Sequence, residues 1–109
     1  MSLKRKWFEM TKAGIKKEDY REITKHWISR LTKGKSFSVV HNEDGIEIDV
    51  VFKKFDFNIM TLGYPKSGDT ERILKLQHAG IEIRNGNPEW GAEPGKLYFV
   101  IKHGEVINN

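Results

Sequence analysis

Beyond Phe37, several stretches of the chain carry apolar residues at every second position, and this constrains the fold more than any other feature of the chain. Ile46-Glu47-Ile48-Asp49-Val50 and Phe55-Asp56-Phe57-Asn58-Ile59 place their apolar members on one side and their polar members on the other, which is the period of a half-buried strand and not of a helix. Phe37 to Val40 opens this region, with Asp44-Gly45 as a turn signal behind it. Glu71 to Gln77 and Gly80 to Arg84 are further extended candidates. In the second, Ile81 and Ile83 face one way while Glu82 and Arg84 face the other. Leu97 to Ile101 is the most continuous apolar run, as expected of a central strand covered on both faces. Gly63 to Asp69 reads as a loop by its turn chemistry, and Asn85-Gly86-Asn87-Pro88 as a sharp break.

Helical spacing is confined to the N-terminal third. Trp7 to Ala13 predicts a short first helix anchored by Trp7, Phe8 and Met10, with Lys4, Arg5 and Lys6 left in water. Thr24 can cap a second helix running to about Lys33 and ending at Gly34, with Ile23, Trp27, Ile28 and Leu31 on its apolar side. Two helices followed by five or six strands predict an α+β domain in which the strands curl toward a barrel, since curling removes exposed edges. A length of 109 residues suits one domain spanning 1–109.

Between the helices lies Gly14-Ile15-Lys16-Lys17-Glu18-Asp19-Tyr20-Arg21, a stretch too charged to be expected in a core. Gly14 can end a helix without steric cost. An extended chain would put Lys17, Asp19 and Arg21 on one face and Lys16, Glu18, Tyr20 and Glu22 on the other. Lys16 is a point cation and Arg21 a planar donor fork, so either can hold an anion or a base edge, while Asp19 can accept from them. An Asp19–Arg21 ion pair that merely orients the connector is an equally good reading of the same residues. Arg30, on the wetter side of the second helix, is a further anion contact. Trp90, bracketed by two turn segments, is either a plug at the end of the strands or a wall of a ligand cleft, with Glu89 beside it.

The spacing Gly14-x-Lys16-x-x-Asp19-x-Arg21 resembles the Gly-x-Lys-x-x-Glu-x-Arg signature of ASCH domains, a branch of the PUA-like superfamily, with aspartate where glutamate is usual. Gly63-Tyr64, Glu89-Trp90-Gly91-Ala92 and a last apolar strand ending near Ile107 also look like parts of such chains. The resemblance implies a PUA-like β pseudobarrel with two short N-terminal helices. It also implies a cleft bordered by Lys16, Asp19, Arg21, Arg30, Tyr64 and Trp90 that holds RNA or a nucleotide-like ligand. Some small ASCH-like proteins are amidohydrolases of acetylated cytidine that use lysine, threonine and glutamate. Asp19 stands at their threonine position, and a carboxylate cannot form the same ester-like intermediate. The catalytic scheme that survives is Lys16 with Glu18 or Glu89 as proton carriers. A third alternative is a partner-binding adaptor with no small ligand.

Composition narrows these classes. Nineteen basic against fifteen acidic residues permit a polyanionic partner without requiring one. The absence of cysteine removes disulfides, thiolate metal sites and a cysteine nucleophile, and fits a reducing, cytoplasmic setting. His26, His41, His78 and His103 show no metal-ligand spacing, so no metal or cofactor is expected. No apolar run is long enough to cross a bilayer, so no membrane partner is expected either.

Overall fold

The computed structural model describes residues 1–63 and 70–107, with the side chains of all of these except 34–36, 41, 42, 46 and 70. It is an α+β structure. In chain order the elements are β1 (Ser2–Leu3), α1 (Arg5–Lys12), β2 (Glu18–Arg21), α2 (Lys25–Leu31), β3 (Thr32–Asn42), β4 (Gly45–Phe52), β5 (Phe57–Leu62), β6 (Ile73–Asn85) and β7 (Leu97–Val106). Single 3₁₀ turns occur at Thr70–Arg72 and Pro88–Trp90. Five strands form one mixed sheet in the order β1-β5-β6-β7-β2, and β3 and β4 form a separate antiparallel pair. The loop expected at Gly63 to Asp69, and with it Tyr64, lies outside the described residues except for Gly63. No helix among the described residues is long and apolar enough to cross a membrane.

α1 has eight residues, too few to be stable alone. Packing holds it: Phe8 is buried with Leu3, Met60, Leu74 and Leu76, and Trp7 leans on the same cluster. The helix ends as Gly14 takes φ 76° and the amides of Ile15 and Lys16 both return to the Met10 carbonyl at 3.0 Å. α2 begins at Thr24, whose hydroxyl accepts from the Trp27 amide at 3.4 Å. It stops at Leu31, three residues before the expected glycine. Thr32 has already turned extended, and its hydroxyl donates to the Ile28 carbonyl at 2.7 Å. Gly34 therefore lies within β3, and the β-branched Thr32 ends the helix.

The apolar run at the start of β7 is buried on both sides. Phe99 and Ile101 pack with Leu31 and Ile83 beneath α2 and the β3–β4 hairpin, where Phe37 and Phe52 approach Phe99 at ring distances of 5.8 and 6.1 Å. Tyr98 and Val100 pack with Ala92 and Tyr20 on the other side. β7 lies between β6 and β2, so it is interior, while β6 is the middle strand of the five. Glu71 and Arg72 belong to the 3₁₀ turn, and from Ile73 the two extended candidates are one strand, because β6 continues through Gly80 at φ 118° with register irregularities on either side of His78.

The five-stranded sheet is not closed by a ladder. Its outermost strands, β1 and β2, are nonetheless neighbours: Arg21 Nη2 donates to the Ser2 carbonyl at 3.4 Å. A side chain therefore links the two edges where backbone pairing is missing.

One polar network is built into the interior. Asn58 Nδ2 donates to the Lys102 carbonyl at 3.1 Å and lies 2.8 Å from His103 Nδ1, while Asn58 Oδ1 is 2.7 Å from His78 Nδ1. Burial pushes the His103 pKa down to about 4 and also lowers that of His78. Between pH 6.5 and about 4 the unfolded chain takes up a proton at position 103 that the native protein does not. Stability therefore falls as pH falls through that window, by roughly 3 kcal/mol for His103 alone. Urea unfolding of the parent and of His103→Gln between pH 7 and 4 is expected to show a shallower decline in the variant. Parallel declines would remove His103 as the cause.

Candidate functional site

β2 starts at Glu18, so the alternation expected of an extended chain holds only from that residue. Asp19 and Arg21 share a face and are bonded, Arg21 Nε donating to Asp19 Oδ2 at 2.8 Å. Glu18 and Tyr20 share the other, with the Tyr20 hydroxyl donating to Glu18 Oε1 at 2.7 Å. Lys16 precedes the strand and does not follow its pleat. It folds back so that Nζ donates to the Glu18 carbonyl at 2.7 Å and to Asp19 Oδ1 at 3.3 Å. Lys16 therefore sits with Asp19, not on the opposite face.

The expectation that this charged segment stays out of the interior is also overturned. Lys16 is 2% exposed and Asp19 5%. The burial is tolerable because each charge faces another: Asp19 uses one oxygen for Lys16 and the other for Arg21. Lys16 Nζ also lies 5.8 Å from the ring centres of both Trp7 and Tyr20, and the Arg21 guanidinium 5.0 Å from that of Trp27. Burial lowers the Lys16 pKa, with Asp19 working against the fall.

Around this cluster opens a hollow of about 340 Å³, between β1 with the start of α1 on one side and the free edge of β2 on the other. Lys16, Asp19, Arg21 and Trp90 all line it, joined by Trp7, Tyr20 and Tyr98. The Trp90 turn is held in place from several directions. Asn87 accepts from the Glu89 amide at 3.0 Å, the Asn87 amide donates to the Tyr20 hydroxyl at 2.9 Å, and the Glu93 amide donates to the Tyr98 hydroxyl at 3.0 Å. Gly91, at φ 96°, passes so near Trp7 that a β-carbon there would stand 3.0 Å from the indole. Burial raises the Tyr20 hydroxyl pKa to about 12, so it remains a neutral donor and acceptor.

Trp90 is thus a cleft wall and not a plug. Trp7, expected to serve only as a helix anchor, does both. Trp27 packs on the core as expected and also carries Arg21 on its face. Arg30 is exposed and is not among the lining residues. Glu18 does not line the cleft, and its carboxylate is taken by Tyr20 and by Arg84 Nη2. Glu89 is exposed and also outside the lining. The lining carboxylates are Asp19, Glu22 and Glu93. Tyr98 had no separate signal within its apolar run. Tyr20 could have been anticipated as its partner only from the strand register that sets the two rings 5.7 Å apart. Among the described residues, no group of three or more His, Asp or Glu side chains is placed to hold a metal.

Comparison with protein-family models, with curated proteins and with solved structures yields no match.

Asp19→Ala would leave the Lys16 ammonium buried with a single carbonyl acceptor. It is expected to cost about 3 kcal/mol or more in urea unfolding. Adding Lys16→Met removes the orphaned charge and is expected to restore part of that loss. A double variant less stable than Asp19→Ala alone would show that Asp19 is not there to compensate Lys16.

Proposed function

We propose that this chain is a nucleotide- or RNA-binding module of the ASCH type, a PUA-like pseudobarrel in which the Arg21 bridge stands where a closing ladder would otherwise run. The carrying observation is that the signature residues Lys16, Asp19 and Arg21 line one hollow together with Trp7, Tyr20, Trp90 and Tyr98. A volume of about 340 Å³ lies in the range of small-ligand sites. Aromatic walls accept the face of a base, and a guanidinium fork accepts its carbonyl edge or a phosphate. Lys4 on the rim and the surplus of basic residues favour an anionic ligand further.

Two of the three tryptophans line the cleft and the third lies under Arg21, so intrinsic fluorescence reports directly on occupancy. Titration with nucleoside monophosphates and with short single-stranded RNA is expected to give saturable quenching that weakens with added salt. Trp90→Ala is expected to weaken binding about tenfold through lost stacking. Arg21→Ala is expected to weaken it at least as much, more for a phosphorylated ligand than for a nucleoside. Equal binding by parent and both variants would sink the proposal.

A hydrolytic reading, cleavage of an N-acylated nucleoside such as acetylated cytidine, draws on the depressed pKa of Lys16. The bonded state of Asp19, the engagement of the Glu18 carboxylate by Tyr20 and Arg84, and the absence of Glu18 and Glu89 from the cleft lining weigh against it. Incubation with acetylated cytidine is expected to release no more cytidine than a Lys16→Ala control. The adaptor reading draws on the exposed Val40, Ile48 and Val51 of the hairpin, and concentration-dependent dimerisation in sizing chromatography would favour it.

A further inference from the structure

β5 is inverted with respect to hydrophobicity. Asn58 and Met60 are buried, while Phe57 and Ile59 are 46% and 44% exposed. A slip of one residue would bury the apolar pair, but the Asn58 amide is committed to the Lys102 carbonyl and to both His78 and His103, which holds the strand where it is. Phe57 and Ile59 share a pocket with Leu31, Ile81 and Ile101, so the sheet face that α2 and the hairpin cover over β7 continues over β5 without a cover. A contiguous apolar exposure of this kind marks a surface that another molecule covers.

The uncovered stretch is concave. Its pocket has a volume of about 160 Å³, with buried Leu31 and Ile101 among its walls and the exposed rings of Phe55 and Phe57 beside Ile59. An apolar cavity of about 150 Å³ admits benzene, so the space suits one aliphatic or aromatic side chain. Its surroundings are mostly cationic. An adjoining hollow shares Phe55, His78 and Ile81 and is lined also by Lys53, Lys54 and Asp56, while Lys75 Nζ stands 4.0 Å from the centre of the Phe57 ring. An apolar side chain flanked by carboxylates complements both the pocket and this rim.

The chain itself carries such a group. Residues 36–52 hold four carboxylates, Glu43, Asp44, Glu47 and Asp49, and no lysine or arginine. Within them Ile48 shares a face of β4 with Val50 and Phe52, which pack on the core, but it lies outside that cluster and is 42% exposed between Glu47 and Asp49. Ile48 stands roughly 13 Å along the strand from Phe52, which borders the hollow beside the pocket, so it cannot fill the pocket of its own chain. We propose that the chain forms a two-fold dimer in which Ile48 of each copy enters the Phe55–Phe57–Ile59 pocket of the other, with Glu47 and Asp49 facing Lys53 and Lys54. A two-fold axis makes the contact reciprocal, because acidic knob and basic pocket lie at opposite ends of the same hairpin. None of these residues lines the aromatic cleft, so the dimer is independent of what the cleft holds.

The test is sedimentation equilibrium of the full chain from micromolar to millimolar concentration. The parent is expected to pass from monomer to dimer, less readily as salt is added. Ile48→Ser removes the knob and Ile59→Glu blocks the pocket. Both positions are exposed, and unchanged urea midpoints at micromolar concentration confirm that the variants fold. Each is expected to weaken dimerisation about tenfold or more, and Lys54→Glu several-fold. The decisive arm mixes the two isoleucine variants. The first keeps its pocket and the second its knob, so a mixed dimer retains one of the two contacts whereas neither variant retains any alone. The mixture is therefore expected to associate more strongly than either component. A parent monomeric at millimolar concentration, a dimer indifferent to Ile48→Ser, or a mixture no more associated than its components would each overturn the proposal.

Discussion

Asp19 carries the arrangement on which the site depends. One carboxylate, almost out of water, holds a buried lysine with one oxygen and a half-buried arginine with the other. Removing three charged groups from solvent is expensive, and mutual attraction offsets that only where geometry and hydrogen bonding are nearly complete. Here the Glu18 carbonyl takes another Lys16 proton, the Ser2 carbonyl accepts from Arg21, and three aromatic faces lie about 5–6 Å from the two cations. The cluster spans the gap between β1 and β2. It explains why the two edges of an open sheet lie side by side without pairing, and why the gap between them is a polar hollow.

The aromatic wall follows from burial on both faces of β7. Because Phe99 and Ile101 are covered by α2 and the hairpin, Tyr98 and Val100 are free to face the other way, where Tyr20 and the Trp90 turn cover them. The coverage is close enough to restrict the chain. A β-carbon at Gly86 would stand 2.6 Å from that of Ala92 and 2.9 Å from the Tyr20 ring, so the turn carrying Trp90 sits against the sheet as only a glycine allows. Both tyrosine hydroxyls are bonded to amides in this segment. Wall and scaffold are therefore one packing unit, and the indole of Trp90 is presented from a fixed base.

Much of this was legible in the residues. Alternation located β4 and the first half of β5, although in β5 it is Asn58 and Met60 that are buried while Phe57 and Ile59 are exposed. The Asp44-Gly45 signal located the hairpin turn, Thr24 marked a helix start and Gly14 a helix end. These are local preferences acting within a few residues. What could not be read was set by contacts distant in the chain. Lys16 looked solvated because its neighbours are charged, and only the fold-back onto Asp19 against Trp7 buries it. Gly34 looked like a helix stop, but Thr32 enters the hairpin first, where it pairs with Phe52. Arg30 looked available to an anion. It is exposed, but it does not line the cleft.

The length of the residue at position 19 bears on what the cleft can do under the proposed reading. A glutamate, usual in the resembled signature, would reach one methylene further. Aspartate is short enough to remain at the base of β2, with each oxygen committed to one cation. Lys16 then has a carboxylate and a carbonyl as fixed partners and keeps little freedom to attack or to carry a proton, although burial has lowered its pKa. Arg21 is different: Nε is held by Asp19 and Nη2 weakly by Ser2 at 3.4 Å, while the side chain stays 21% exposed. A group oriented at its inner edge and open at its outer one is preorganised to receive a ligand. A lysine locked between two acceptors is poorly suited to chemistry, and on this ground the cleft is better fitted to recognition than to catalysis.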